Sequence, residues 1–241
     1  MANLNKTIDR ALQLSPDSLN LWSIKAQVEM SEKGTFETAE RCAKLFSKIQ
    51  MPDSDRAHLA ATIVQIRLLE RNFAGALQEA ESVKDELLEK DPEALSSKYQ
   101  VIGIAKKVLK DDAGAREAFL IARRHAEKYL SDAPTEAKRH ATLAVILAWL
   151  GEKEAAIAEA KRATELLPES VDAFEGPGMT EILAQVYVIV GEQEKAIDLL
   201  DGLLSRPGPV TVAILKAIPI WDPLRANPRF IELLKKHGGS A

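Results

Sequence analysis

This chain of 241 residues has one cysteine, few aromatic side chains and no excess of positive charge. The single cysteine, Cys42, excludes an intrachain disulfide and a cysteine-based zinc cluster. Aromatic residues make up 5% of the chain, too few for a platform that stacks nucleic-acid bases. The formal net charge of −4 also removes the broad basic surface of a nucleic-acid binder. We therefore expect no nucleic-acid partner.

Long apolar runs are missing as well. The longest nearly apolar stretch, residues 141–150, would rise about 15 Å as a helix, half the thickness of a bilayer core. The first residues mix polar and apolar side chains at helical spacing, unlike a signal peptide. These features predict a cytoplasmic protein without a membrane partner.

Strand signals are also rare, because Val, Ile and Thr seldom alternate with polar residues. Helix-starting pairs divide the chain into pieces of helix length, each pair placing an N-cap residue before a proline: Asp91-Pro92, Asp222-Pro223 and Asn227-Pro228. Glycines stand where a helix should end and reverse: Gly34, Gly151 and Gly191. The chain is predicted to be all-α, with about a dozen helices.

An internal repeat is what the sequence does contain. The heptapeptides GEKEAAI, residues 151–157, and GEQEKAI, residues 191–197, are nearly identical. Weaker copies precede them at almost even spacing. One alanine, here called the marker alanine, identifies each copy: Ala39, Ala76, Ala115, Ala156 and Ala196. A unit of nearly constant length therefore recurs along the chain.

Each unit has the pattern of two helices packed against each other. The first helix carries a large apolar residue followed by a small one, as in Leu143-Ala144, and the small residue lets the second helix approach closely. The second helix presents alanine at steps of four and three residues, as at Ala156, Ala160 and Ala163, which suits tight antiparallel packing. One hairpin cannot bury both of its faces, so the hairpins are predicted to stack into a solenoid.

These residues resemble the tetratricopeptide repeat (TPR) family, whose 34-residue units are helix–turn–helix pairs. Residues 137–170 match best, with large, small and proline residues at the family's positions: Leu143, Ala144, Leu147, Gly151, Ala156, Ala160, Ala163 and Pro168. Residues 177–208 add Tyr187, and residues 96–122 match through Tyr99, Gly103, Ala115, Phe119 and Ala122. The period is longer here than in the family, which implies longer helices or loops. The resemblance implies a right-handed superhelical solenoid of antiparallel helix hairpins.

The resemblance also divides the chain into an array and a cap. Residues 1–208 are the predicted TPR-like array, with a half repeat at 3–16 and repeats at about 17–50, 53–90, 92–130, 134–170 and 177–208. Residues 209–241 are predicted to form C-terminal capping helices. The half repeat is interpreted either as an N-terminal capping helix or as the remainder of a repeat in a longer protein. Residues 220–238 resemble the terminal cap of bacterial multidomain TPR proteins that carry a kinase, cyclase or winged-helix domain.

Patterns for catalysis or metal binding are weak. The four histidines have no paired-ligand spacing, and His125 and His140 are interpreted as a solvated basic corner. Cys42 is interpreted as a small core residue rather than a nucleophile. Residues 176–178, GPG, lack the lysine and serine of a phosphate loop and are interpreted as a linker between repeats. We expect no catalytic residue, no metal and no cofactor, and therefore no enzyme.

In TPR proteins the first helix of each repeat lines the concave side, so the resemblance implies a binding groove there. By helical phase the groove residues are Gln65, Gln100, Ile104, Lys107, Lys138, Trp149, Glu181 and Gln185. Ala141 and Val145 stand where a clamp for C-terminal carboxylates would need polar residues. The expected ligand is therefore an extended peptide or a folded domain.

The sequence thus predicts a non-enzymatic scaffold that binds a protein or peptide partner through the groove. One alternative is the regulatory tail of a larger signalling protein, such as a kinase, a cyclase or a transcription regulator. Another is a small all-α enzyme, or a lipid or small-molecule carrier, which would need an apolar cavity of at least about 300 Å³. The identity of the partner and the oligomeric state are left open.

Overall fold

The computed structural model describes residues 2–46 and 53–238, and every regular element within those ranges is helical. The α-helices are α1 (Ala2–Leu14), α2 (Leu19–Lys33), α3 (Glu37–Phe46), α4 (Asp53–Leu69), α5 (Phe73–Ser82), α6 (Pro92–Val108), α7 (Asp112–Asp132), α8 (Ala137–Trp149), α9 (Lys153–Leu166), α10 (Gly176–Ile189), α11 (Gln193–Leu204), α12 (Val212–Ala217) and α13 (Pro228–Gly238). Two 3₁₀ segments, Asp85–Leu87 and Pro219–Leu224, complete the described structure.

Consecutive helices pair and then stack in sequence order. Helices α2 and α3, α4 and α5, α6 and α7, α8 and α9, and α10 and α11 form hairpins, and the second helix of each hairpin packs on the first helix of the next. Helix α1 packs on α2 as a single helix ahead of the first hairpin. This arrangement confirms the predicted all-α, helical-repeat solenoid.

Each hairpin turns at a residue with left-handed backbone geometry. These residues have φ between 56° and 83° and are Gly34, Arg71, Lys110, Gly151 and Gly191. Their spacing along the chain equals that of the marker alanines. After α4, α6, α8 and α10 the turn is a Schellman motif, in which the following residue donates its N–H to a carbonyl five residues back. The turns of the repeat are therefore the same even where the sequence has no glycine.

The marker alanines lie where the two helices of each hairpin touch. Each stands five residues after a left-handed residue, and their exposed fractions are 8% for Ala39 and at most 1% for the other four. Gly103 shows how close the approach is, because a Cβ atom at this position would lie 2.5 Å from the Phe119 ring. Small residues are thus required at the contact, as the sequence pattern predicts.

The core is unevenly distributed along the described chain. One continuous cluster of buried side chains runs from Ala122 to Leu233 and includes residues of α7 to α11 and of the C-terminal segments. Before it lie small clusters, one around Cys42 and Leu59 and one around Val64. The large cluster includes side chains from both sides of residue 208. The predicted boundary between array and cap at this residue stays a prediction.

Two local interpretations are corrected by the structure. The GPG sequence is the first turn of α10 rather than a linker, with Pro177 in the first helical turn, where proline is favourable. Gly176 packs so closely on the preceding loop that a Cβ atom would lie 2.7 Å from Glu169 Cα. Asp222 lies inside the 3₁₀ segment and bonds to arginines, whereas Asn227 does cap α13, since its Oδ1 accepts the N–H of Arg229 at 2.9 Å.

The helices were also compared with the length and hydropathy of a membrane span. Within residues 2–46 and 53–238, no helix is both long enough and apolar enough to cross a bilayer.

Candidate functional site

The predicted groove residues lie on the first helices of four successive hairpins. Gln65 on α4 is exposed, and Gln100 and Ile104 on α6 are half-buried. Lys107 follows on the last turn of α6, and Lys138 stands in the first turn of α8; both are exposed. These five side chains therefore stand outside the fully buried cores of their hairpins.

The two lysines are already paired with carboxylates. Lys107 Nζ lies 2.7 Å from Asp112 Oδ1 in its own hairpin, and Lys138 Nζ lies 2.8 Å from Glu175 Oε2 at the start of the next. The hydrogen bond with Lys107 lowers the pKa of Asp112, and that with Glu175 raises the pKa of Lys138. All four side chains are at least 39% exposed, so these pairs add little to the stability of the fold.

Glu181 and Gln185 share one face of α10, as their spacing of four residues predicts. Gln185 Nε2 donates to Glu181 Oε1 at 3.3 Å. Burial raises the pKa of Glu181, and the bond from Gln185 offsets this rise in part. Ionising the carboxyl group is costly in this position, and this distinguishes Glu181 from the exposed groove residues.

Trp149 is placed against the preceding hairpin. Its ring stacks on Phe119 of α7, with centroids 5.8 Å apart and an angle of 3° between the planes. Its indole nitrogen is buried and has no hydrogen-bond partner among the described residues. The stacked ring fills the contact between α7 and α8, so this face of Trp149 is not available to a groove ligand.

A second surface emerges where residues 211–225, here called the C-terminal return segment, meet the first two hairpins. Helix α12 packs against α2, although the two helices lie near opposite ends of the chain. One close approach is at the turn after α2, where Ala213 O would lie 3.0 Å from a Cβ atom on Gly34. The array is therefore closed on itself rather than open at its N-terminal end.

An ion pair holds the same segment to the second hairpin. The guanidinium of Arg71, in the turn after α4, donates to both Asp222 oxygens at 2.8 and 3.2 Å. Arg225 also donates to Asp222 Oδ1, at 2.5 Å. Partial burial alone would raise the pKa of Asp222, but the hydrogen bonds from the two arginines outweigh it and lower the pKa. Sequence patterns could not reveal this contact, because its partners are far apart in the chain.

Other turns of the array are linked by ion pairs between neighbouring hairpins. Arg123 on α7 contacts Glu152 in the next turn at 2.8 Å, and Lys153 contacts Glu192 in the turn after that. Glu152 and Glu192 each precede the second helix of their hairpin. The turn edge of the solenoid is thus a row of charged contacts.

An open cleft of about 850 Å³ lies between α5, α6 and α7. Its lining includes carboxylates and lysines: Glu81, Lys84, Asp85, Glu86, Lys98, Lys106 and Glu117. Asp85 is held in place, accepting hydrogen bonds from Lys98 Nζ at 2.5 Å and Tyr99 Oη at 2.6 Å. The bond to Asp85 is the main cause that raises the pKa of Tyr99 to about 12. The cleft has the volume of a ligand site, and its walls combine these charged groups with apolar side chains such as Ile102 and Ile121.

The histidines do not form the solvated corner that was expected. His140 is buried, with Nδ1 2.5 Å from Glu159 Oε2 and Nε2 2.9 Å from Pro134 O. His125 is half-buried and stacks on Tyr99, and desolvation is the main cause that lowers its pKa. Among the described residues, no three His, Cys, Asp or Glu side chains are placed to hold a metal ion.

Cys42 is fully buried in α3, in agreement with its interpretation as a core residue. Burial raises the pKa of its thiol to about 11, so the side chain is a neutral thiol near pH 7.

Comparison with known proteins adds little to these observations. No family model and no curated protein matches the sequence. Among solved structures, the crystal structure of BtubC (BKLC) from P. vanneervenii is similar with a TM-score of 0.46 and 13% identity over 84% of this chain and 86% of that one. The crystal structure of MamA has a TM-score of 0.36 and 19% identity over 78% of this chain and 94% of that one. Both scores are low, so the class of the protein, a helical-repeat solenoid, rests on the helix pairing described above.

Proposed function

We propose that the chain is a non-enzymatic scaffold that binds a protein or peptide partner through a groove lined by the first helices of TPR-like repeats. The observation that carries the proposal is the sequential stack of hairpins, each turning at a left-handed residue and four of them through the same Schellman turn. Stacked hairpins of this kind create an extended surface to which every repeat contributes side chains. The TPR assignment itself is part of the proposal, and the buried marker alanines support it.

The accessible part of the proposed groove lies on α4, α6 and the start of α8. Gln65, Gln100 and Lys138 offer hydrogen-bonding groups there, and Ile104 adds an apolar contact. A mixture of amide, ammonium and apolar groups suits an extended peptide or the polar surface of a folded domain better than a lipid.

The alternatives differ in what supports them. A lipid carrier needs an enclosed apolar cavity, whereas the 850 Å³ cleft is open and mixes charged with apolar side chains, which does not favour one. A regulatory tail of a larger signalling protein would use the same groove on a domain of its own chain. Cytoplasmic location and the absence of catalysis stay predictions from the sequence.

A matched pair of triple variants tests the groove. The groove variant carries Gln65→Ala, Gln100→Ala and Lys138→Ala. The control carries Gln78→Ala, Arg116→Ala and Lys161→Ala, which are exposed on the second helices α5, α7 and α9. Partners are identified by affinity capture with quantitative mass spectrometry, and circular dichroism and thermal melting verify that both variants are folded.

We expect the partner enrichment of the groove variant to fall by about tenfold or more. Each of the three truncated contacts is worth roughly 0.5 kcal/mol, and these energies add. The control should retain the enrichment of the wild type. Loss in the control with full retention in the groove variant would place the binding surface on the second helices and contradict the proposal.

A further inference from the structure

The contact between the C-terminal return segment and the first two hairpins consists of helix α12 packed on α2 and of one ion pair. Its ion pair joins side chains that are 42% exposed for Arg71 and 38% exposed for Asp222. An ion pair this exposed contributes little to stability and weakens as salt screens it. Where α12 meets α2, Val212, Ala213 and Ile214 are only half-buried, and none of the buried clusters of the described residues joins the return segment to helices α2 to α5. Because no buried core is shared across it, this contact can break at a lower cost than the packing of the same segment in the continuous core.

The opposite side of the return segment is anchored firmly. Leu215, Trp221 and Leu224 have no exposed surface and belong to the continuous core of the C-terminal half. The 3₁₀ segment packs on α10. When the contact with the first hairpins breaks, the return segment should stay attached to the last ones, so the solenoid would open without unfolding its cap.

We propose that residues 211–225 are a releasable latch, which closes the solenoid on its own first two hairpins through Arg71 and Asp222. In the closed state the latch covers the C-terminal end of α2 and the turn after α4. Release uncovers this surface and separates the two ends of the array. The latch goes beyond the proposed partner binding and is measured with no partner present, so either idea can fail without the other.

The chain supplies its own matched control for Arg71. Arg71 and Lys110 occupy the same position in successive turns, and both have left-handed φ, 56° and 69°. Lys110 lies near Asp112 of its own hairpin, and none of the described ion pairs or hydrogen bonds joins it to the return segment. Arg71→Gly and Lys110→Gly relieve the same backbone strain, but Arg71→Gly alone removes the latch contact.

The experiment measures the distance between spin labels at Glu32→Cys, near the end of α2, and Lys216→Cys, near the end of α12. Both positions are exposed, and the buried thiol of Cys42 should resist labelling. Double electron–electron resonance should give a narrow, short distance in the wild type and in Lys110→Gly. In Arg71→Gly the population at longer distance should rise about two- to fivefold, which is the range for losing one exposed ion pair. The melting temperature of Arg71→Gly should be equal or higher.

Two further experiments distinguish a latch from a general loosening of the fold. Arg71→Glu should open the array, and adding Asp222→Arg should close it again, because the exchanged pair restores the attraction. Sodium chloride at about 1 M should open the wild type and leave Arg71→Gly unchanged. A distance distribution that stays narrow in both Arg71 variants, or one that broadens equally in Lys110→Gly, would overturn the proposal.

Discussion

The two halves of the solenoid are built from the same hairpin but are held together differently. From Ala122 to Leu233 most buried side chains belong to one large cluster, with a small one around Ala163 and Met179 beside it, whereas the described residues before Ala122 form only small separate ones. The turns and the marker alanines are alike in both halves. The repeat pattern therefore fixes how each hairpin closes, and the larger side chains decide how strongly hairpins adhere to their neighbours.

The largest expected effect comes from a matched pair of tryptophans. Trp221 has no exposed surface and lies in the large cluster, while Trp22 is half-buried beside a small one. Trp221→Ala should lower the free energy of unfolding by about 3–5 kcal/mol, because it leaves a cavity in a continuous core. Trp22→Ala should cost less than half as much, although it also loses the hydrogen bond from Trp22 Nε1 to Pro16 O. Urea denaturation measures both, and equal losses would show that the halves do not differ.

Enlarging the marker alanines should give a smaller but parallel contrast. Ala156→Leu in the C-terminal half should cost about 1–3 kcal/mol, because it forces extra atoms into a closed helix contact. Ala39→Leu should cost less, since its 8% exposed fraction and small cluster leave room to shift. The surface change Glu154→Gln should stay within about 0.5 kcal/mol. Identical melting of all three variants would contradict the packing of the hairpins.

The smallest expected effect depends on pH and concerns Glu181 in the C-terminal half. Burial raises its pKa above the ordinary 4.5, so the folded chain binds this proton more tightly than the unfolded chain does. The stability that this proton provides is present in full below the ordinary pKa and is lost as pH rises through the folded pKa. Glu181→Gln should therefore be more stable than the wild type at pH 7.

The measurement for Glu181 is the difference in unfolding free energy between variant and wild type at several pH values. This difference should be largest at pH 7 and shrink toward pH 4. Glu154→Gln, an exposed carboxylate change, should show no such trend. Taking differences removes the opposite contribution of carboxylates whose pKa is lowered, such as Asp201 and Asp222, which stabilise the fold less as pH falls. A difference that does not change with pH would mean that Glu181 is hydrated.

The periodic part of the fold could be predicted because its determinants are local. The marker alanines lie buried in the hairpins of the described residues, and small residues such as Gly103 mark close helix contacts that the structure confirms. The turns at Arg71 and Lys110 were not predicted, because neither residue carries the usual preference for left-handed geometry. Their Schellman hydrogen bonds come from the backbone, which side-chain patterns show only indirectly.

The candidate sites were harder to predict than the fold. Helical phase identified the first-helix side chains, but it could not show that Lys107 and Lys138 find carboxylates or that Trp149 stacks on Phe119. The contact between Arg71 and Asp222 depends on how far the stacked hairpins curve, and small angles at each hairpin add up along the intervening chain. The total curvature of the stack cannot be predicted from local sequence patterns.

The fixed distance from each left-handed residue to its buried alanine also defines a cut point for protein engineering. A segment from one left-handed residue to the next, such as 151–190, carries a complete second helix, a loop and a complete first helix. Duplicating it would lengthen the array by one module with both junctions unchanged. It would also move Asp222 away from Arg71, so the two ends of an array with one added module should no longer meet.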